Sequence, residues 1–231
     1  MDDSWKLPSS RGTDIEQYWQ GLADCLDRIR HCELHEIAEA LLACYRRGNT
    51  VFAVGNGGSA ATASHFACDL AKGTRSPGAP AFRCIPLTDS IPVMTAWAND
   101  ASYSRVFAEQ LSALIKRGDV VVAISASGNS PNVLAAVEVA TGAEASSIAL
   151  TGPTGGRLGR MADLTIRVQS QSIEQVEDVH LAICHSVCVY LRGVLRDEAG
   201  RLRAHDAGPR RGLNGSVEET ETPLVGIQRL T

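Results

Sequence analysis

The sequence predicts an α/β protein in which a doubly wound, five-stranded parallel sheet is covered by helices on both faces. Between residues 50 and 168, short and almost continuously apolar runs alternate with segments of helical periodicity. Continuous apolar runs indicate strands buried on both faces, and such strands belong to parallel sheets with helices on each side. The hydrophobic fraction of 44% is sufficient for one core.

Two helices are predicted before the sheet. Thr13 and Glu16 have the spacing of a capping box, and apolar residues then recur on one helical face up to about Arg30. A second helix is predicted over 34–47, with Gly48-Asn49 as its stop signal. Residues 1–12 have no such pattern, and we expect a flexible arm there.

The predicted strands are Val51–Val54, Phe82–Leu87, Val120–Ile124, Ser147–Leu150 and Leu164–Val168. Helices are expected between them at about 59–72, 90–98, 103–116, 131–141 and 156–162, followed by a long last helix over 173–196. Residues 13–196 therefore form one predicted domain. Residues 197–231 lose apolar periodicity, which indicates a mobile tail or a segment that contacts a neighbouring subunit or closes over a site.

Composition excludes several classes of protein. The net charge of −4 offers no basic surface for nucleic acid. No apolar run approaches the roughly 20 residues of a membrane helix, and the N-terminus lacks signal-peptide order, so we expect a cytoplasmic protein. The seven cysteines are odd in number and contain no CxxC, which favours buried thiols over disulfides.

A serine-rich loop follows the predicted strand at 120–124. Ser125, Ser127 and Ser130 precede Pro131, which suits the first turn of a helix, and Ser130 is a favourable N-cap residue. Hydroxyl groups and backbone N–H groups therefore gather at a helix N-terminus, where partial positive charge attracts an anion. The loop predicts binding of a phosphorylated small molecule.

A glycine-rich loop, Gly55-Asn56-Gly57-Gly58-Ser59, follows the first predicted strand. Its glycines permit positive φ and close approach of a ligand, and Asn56 can donate to a sugar hydroxyl. The loop is neither the GxGxxG fingerprint nor a Walker loop. Because ligands of such sheets bind beyond the carboxyl ends of the strands, we expect the two loops to form one site.

Two helices carry candidate metal ligands. His65 and Asp69 are four residues apart and share a helical face, and Glu177 and His185 on the last helix can point into one sector. Two imidazoles and two carboxylates suit a divalent ion, with zinc favoured and manganese or iron as rivals.

Other interpretations of these residues are open. His180 and Asp178 compete as ligands on the last helix, and Asp69 could pair with Lys72 on a helix surface. Asn99-Asp100 is typical of a turn, and the same two polar residues could instead hydrogen-bond to the hydroxyl groups of a sugar.

The segments 51–73, 95–111 and 118–140, with the motifs above, resemble the SIS (sugar isomerase) domain family, and within it the phosphoheptose isomerases. The resemblance extends over about 14–196. It implies an SIS-type five-stranded parallel sheet, two leading helices, a long C-terminal helix, and a homotetramer with sites at subunit interfaces. It also implies a sugar-phosphate substrate and a zinc ion.

The resemblance assigns roles residue by residue. It implies that substrate contacts are made by Asn56, Gly57, Gly58, Asn99, Asp100 and Glu177, that the phosphate is held by Ser125, Ser127 and Ser130, and that zinc is bound by His65, Asp69, Glu177 and His185. The chain departs from the family pattern at Asp69, where Glu is typical, at Glu177, where Gln is typical, and at Ala126, where Thr is frequent.

The predicted reaction interconverts a ketose 7-phosphate, sedoheptulose 7-phosphate, and an aldose 7-phosphate through a cis-enediol. Asp69 or Glu177 is the expected base and His185 its acid–base partner. Two alternatives are a non-catalytic SIS module, which would sense phosphosugars or bind a protein, and an isomerase for another sugar phosphate.

Overall fold

The computed structural model describes residues 15–206, with side chains up to Arg201. Five strands form one parallel sheet in the order β2-β1-β3-β4-β5. The strands are β1 (Thr50–Gly55), β2 (Arg83–Pro86), β3 (Val120–Ser125), β4 (Ser146–Thr151) and β5 (Leu164–Arg167). The predicted five-stranded parallel sheet is confirmed.

Helices cover both faces of this sheet. They are α1 (Ile15–Asp27), α2 (His31–Arg46), α3 (Gly58–Cys68), α4 (Ile91–Asp100), α5 (Val106–Ser112), α6 (Pro131–Gly142), α7 (Leu158–Met161) and α8 (Ile173–Asp206). Val51 and Ala53 of β1 face a core formed with α2, α3 and α8, whereas Phe52 and Val54 face a second core formed with α5 and α6. This alternation explains why the strands are apolar throughout.

The strand order places the two predicted ligand loops side by side. β1 pairs with β3, and Gly55 at the end of β1 lies in register with Ile124 near the end of β3. From β1 the chain moves outward to β2, then crosses to β3 and continues outward to β5. The helices that follow β1 and β3, α3 and α6, lie on opposite faces. A crevice therefore opens between the two loops at the carboxyl edge of the sheet.

Several predicted boundaries differ from the structure. The first long helix after β1 widens into a π-helical turn over Asp69–Gly73. The segment predicted as one helix at 103–116 is a 3₁₀ turn (Tyr103–Arg105) followed by α5. The last helix continues ten residues beyond Arg196, to Asp206. The predicted arm at 1–12 and the tail beyond residue 206 lie outside the described residues and stay predictions.

Helix α8, with 34 residues, is the longest helix that the structure describes. Over Ile173–Arg201 it is long and apolar enough to cross a membrane by length and composition alone. However, Val176, Val179, Ile183 and Leu191 are buried against the sheet and its neighbouring helices. Packing in the core thus accounts for its hydropathy. All seven cysteines are free thiols, and the thiols of Cys184 and Cys188 on α8 are buried.

Candidate active site

A cavity of about 150 Å³ lies between the loops that follow β1 and β3. Its polar lining consists of Asn56, Ser59, Ser125, Ser127, Ser130 and Glu177. The cavity therefore joins the glycine loop, the serine loop and the beginning of α8. It brings together four of the predicted polar substrate or phosphate contacts and one predicted acid–base group.

The serine loop presents clustered hydroxyl groups. Ser125 Oγ lies 3.2 Å from Ser130 Oγ and 3.5 Å from Ser127 Oγ. Ser130 occupies the N-cap position of α6, but its hydroxyl caps no backbone N–H and faces Ser125 instead, so the predicted side-chain cap is wrong. The hydroxyl is consequently available to a ligand at the helix N-terminus, where an anion is favoured.

The glycine loop is shaped by backbone conformation and by an amide pair. Gly57 has φ +55°, a conformation that side chains with Cβ rarely adopt. Asn56 Nδ2 donates to Asn132 Oδ1 (2.9 Å), and Asn132 Nδ2 donates to Asn56 Oδ1 (2.8 Å). The hydroxyl of Tyr103 also donates to Asn56 Oδ1 (3.0 Å). Asn132 and Tyr103 were missed from the sequence because neither forms a motif by itself.

Glu177 lies at the point where α8 meets the beginning of α3. Its carboxylate packs directly against Gly58, so closely that a Cβ atom at position 58 would overlap it. Burial raises the pKa of the Glu177 carboxyl, and the nearby negative charges of Glu174 and Asp178 raise it further. A carboxyl group with a raised pKa in a polar cavity is a typical candidate for proton transfer.

A second group of side chains lies between α3 and α8. His65 Nε2 is 3.1 Å from His185 Nε2, and Asp69 Oδ2 is 3.5 Å from His65 Nε2 and 3.6 Å from His185 Nε2. Both imidazole side chains are about half exposed (48% and 47%), which leaves the group open on one side. Among the described residues, Asp69 makes no ion pair with Lys72, so the alternative surface pair is absent there.

The donor set of this group fits a divalent metal. Ligands about 2.0–2.2 Å from one ion at tetrahedral angles lie roughly 3.4 Å from one another. The three observed separations, 3.1, 3.5 and 3.6 Å, bracket that value. Three protein ligands with an open fourth position are typical of catalytic rather than structural zinc sites.

Comparison with known proteins assigns the chain to a family. Residues 17–152 match the family model of the SIS domain. The chain is 40% identical over 177 residues to the phosphoheptose isomerase of Rhodospirillum rubrum. The aligned region covers 76% of this chain and 94% of that protein. It is also 40% identical over 155 residues to that of Trichlorobacter lovleyi, with 66% and 78% covered. This chain belongs to the phosphoheptose isomerases of the SIS domain family.

Solved structures agree with that assignment. The phosphoheptose isomerase from Neisseria gonorrhoeae superposes with a TM-score of 0.71 at 31% identity, covering 77% of this chain and 96% of that one. The enzyme from Francisella tularensis gives a TM-score of 0.72 at 32% identity, covering 77% and 94%. The protein is therefore a sugar-phosphate isomerase with the SIS fold, as its motifs predicted.

In this phosphoheptose isomerase, Glu177 does not join the three candidate metal ligands. Within residues 15–206 the group consists of His65, Asp69 and His185. Glu177 and His185 share a sector of α8 only in rotation about the helix axis. Eight residues also rise about 12 Å along the axis, so the two side chains occupy different levels of the helix. Glu177 instead faces the cavity beside Gly58.

The other predicted residues of this phosphoheptose isomerase lie apart from both groups. Asn99 and Asp100, at the end of α4, are exposed and hydrogen-bond to each other (Asn99 Nδ2 to Asp100 Oδ1, 2.8 Å). The competing ligand Asp178 accepts a hydrogen bond from Tyr18 (2.5 Å). His180 is fully buried in the core. Neither competing residue contributes to the described metal-ligand group.

Proposed function

We propose that this enzyme interconverts sedoheptulose 7-phosphate and a heptose 7-phosphate of the D-glycero-D-manno or D-glycero-D-altro type through a cis-enediol. One observation carries the proposal: three serine hydroxyls and the carboxyl of Glu177 line the same cavity. An anchor for an anion and a group able to move a proton are the two parts that this reaction requires. The relatives' description as phosphoheptose isomerases favours a seven-carbon substrate.

The serine loop is proposed to hold the phosphate. Ser125, Ser127 and Ser130 would donate hydroxyl hydrogen bonds, and the N-terminus of α6 would add its partial positive charge. Asn56, Gly57 and Gly58 would contact the sugar from the other side of the cavity. Binding energy from the unreactive phosphate end then positions C1 and C2 for reaction.

Proton transfer is assigned to a carboxylate and to His185. The carboxylate, either Asp69 or Glu177, removes a proton from C1 of the ketose while O2 gains a proton, which forms the enediol. The proton returns to C2 while O1 loses its proton, which forms the aldehyde. His185 would move the proton between O2 and O1. Because Glu177 and His185 of one chain lie at different levels of α8, the His185 that acts with Glu177 would come from a neighbouring subunit. Glu177 is favoured as the base by its place in the cavity and by the direction of its pKa shift.

A zinc ion is the proposed cofactor, held by His65, Asp69 and His185. When bound it would polarise the substrate carbonyl as a Lewis acid. The support is the donor set and the three separations of 3.1–3.6 Å. Under this proposal Asp69, where the family typically has the longer Glu, binds the metal. Glu177, where the family typically has the uncharged Gln, transfers the proton.

A homotetramer with sites at subunit interfaces, in the cytoplasm, completes the proposal. Ligand sites typically occupy about 300–1,000 Å³, so the 150 Å³ cavity of one chain suits only part of a heptose phosphate. Exposed apolar side chains on α1 and α4, Ile15, Trp19, Ile91 and Trp97, offer surface for a neighbouring subunit. Asn99 and Asp100 lie on the same α4 and would reach a neighbour's cavity.

An isomerase assay over phosphorylated pentoses, hexoses and heptoses tests the function. We expect turnover of sedoheptulose 7-phosphate and a loss of roughly 10²–10⁴ in kcat for the variant that lacks the base. Glu177→Gln should lose activity and keep bound metal, whereas His65→Ala should lose the metal. Binding without turnover of any sugar phosphate would support the sensor alternative, and full activity of His185→Ala would remove His185 from the mechanism.

Mixing two inactive variants tests the shared site. If the cavity of one subunit uses His185 of another, reassembled mixtures of Ser127→Ala and His185→Ala regain up to about one quarter of wild-type activity, because random assembly restores that share of sites. If both groups act within one chain, no mixture exceeds the activity of its components.

A further inference from the structure

Asn132 is a buried polar residue to which the proposed reaction gives no role. It occupies the first turn of α6, directly after Pro131, and its exposed fraction is only 1%. Its side-chain amide forms a reciprocal pair with that of Asn56, across the crevice between the serine and glycine loops. Asn132 thus links the two loops that line the cavity.

The orientation of Asn132 is determined by the backbone. The N–H of Val133 donates to Asn132 Oδ1 (3.0 Å). A backbone N–H can only donate, so the atom of the Asn132 side-chain amide that faces Val133 N–H must be the oxygen and not the nitrogen. Asn132 Nδ2 is consequently directed at Asn56, and the atom of Asn56 that receives it must be the oxygen.

The hydrogen bonds of Asn56 determine which group it can offer to a ligand. Its Oδ1 accepts from Asn132 Nδ2 (2.8 Å) and from the Tyr103 hydroxyl (3.0 Å), which uses both of its lone pairs. Its Nδ2 donates one hydrogen to Asn132 Oδ1 (2.9 Å). One N–H of Asn56 is left, and Asn56 lines the cavity.

We propose that Asn132 is a positioning residue, supported by Tyr103, that makes Asn56 a hydrogen-bond donor and not an acceptor toward the ligand. Asn56 then selects an oxygen acceptor, such as a carbonyl, ether or hydroxyl oxygen of a sugar phosphate. The identification of that ligand rests on the proposed function, whereas the donor character of Asn56 rests on the hydrogen bonds alone.

Two substitutions at position 132 separate positioning from packing. Asn132→Asp keeps an acceptor for Val133 N–H and for Asn56 Nδ2, but it replaces the donor that faces Asn56 Oδ1 by an oxygen, so Asn56 keeps only part of its support. Asn132→Leu has similar volume and removes every side-chain hydrogen bond of residue 132, so only the Tyr103 hydroxyl still restrains the Asn56 amide. A buried carboxyl destabilises a fold more than a buried leucine does. The proposal therefore expects affinity to fall in the order Asn, Asp, Leu, while thermal stability of the Leu variant equals or exceeds that of the Asp variant.

The test measures binding and kinetics of these variants with sedoheptulose 7-phosphate and with inorganic phosphate. Loss of one neutral hydrogen bond corresponds to roughly a tenfold change in affinity. Asn132→Leu should raise KM and the dissociation constant of the sugar phosphate about tenfold, with little change for inorganic phosphate, which needs only the serine loop. Tyr103→Phe should have a smaller effect in the same direction.

A double-mutant cycle decides whether Asn132 acts through Asn56. Once Asn56→Ala is present, Asn132→Leu should weaken sugar-phosphate binding no further. Additive losses, or an unchanged sugar-phosphate affinity in Asn132→Leu, would overturn the proposal. If the wild-type enzyme binds sedoheptulose 7-phosphate without converting it, the proposed function fails, but the affinities of the variants still decide the role of Asn132.

Discussion

Glu177 has a carboxyl group whose protonation is governed by its neighbours. Its pKa is raised first by burial against Gly58 and then by the negative charges of Glu174 and Asp178. A base must be ionised to accept a proton, so kcat/KM should fall as pH falls through this raised pKa, above the ordinary value of about 4.3. The assignment of Glu177 as base therefore predicts an acid limb in the pH profile of kcat/KM.

Removing a neighbouring negative charge should shift the midpoint of this acid limb. Glu174→Gln removes one negative charge and should shift the acid limb of the kcat/KM profile to lower pH. Glu144→Gln, far from the cavity and paired with Arg117, serves as the control and should leave the midpoint unchanged. The measurement is kcat/KM between about pH 4 and 8. A midpoint in Glu174→Gln identical to that of the wild type would contradict the assignment.

At the scale of elements, α3 and α8 organise the site because they begin side by side at the cavity. Gly58 on α3 meets Glu177 on α8, and two turns further along His65 meets His185. A Cβ at position 58 would force the Glu177 carboxylate to move from its present position. Glycine at the helix start therefore allows the carboxylate to pack against α3.

Gly58→Ala should displace the Glu177 carboxylate and lower kcat, because the added methyl group occupies its position. Gly193→Ala in α8 is the matched control, since a Cβ there meets no atom within 4 Å. That control should retain activity and gain about 0.5–1 kcal/mol of unfolding free energy, as alanine replaces glycine inside a helix. Chemical unfolding and initial rates measure both effects. Wild-type kcat in Gly58→Ala would contradict the described contact.

The elements also show what the sequence could and could not predict. Apolar runs and turn residues were sufficient for all five strands and for both ligand loops, because these signals are local. Helical spacing placed His65 and Asp69 on one face, whereas their grouping with His185 of another helix was proposed from ligand types and from the family resemblance. The separate place of Glu177 did not, because it depends on how far α8 rises past α3. The Asn56–Asn132 pair was equally hidden, since it joins loops 76 residues apart.

On the scale of the whole molecule, one buried histidine links stability to pH. His180 is fully buried in the core. Burial lowers its pKa from 6.5 to about 4, because the charged imidazolium is unfavourable in the core. Well above pH 6.5 the ring is uncharged in both folded and unfolded chains, so the effect appears as the pH falls toward and below 6.5.

Below pH 6.5 the unfolded chain binds a proton at His180 that the folded chain does not bind until about pH 4. As the pH falls from 6.5 to about 4, the free energy of unfolding should therefore decrease by up to about 3 kcal/mol. Below about pH 4 the folded chain also binds the proton, so this contribution should change no further. His180→Leu removes the titrating group and should flatten the decrease, whereas the exposed His31→Gln should keep the wild-type profile. Guanidinium unfolding at several pH values and one fixed protein concentration measures the difference. Parallel losses in wild type and His180→Leu would show that other groups govern acid stability.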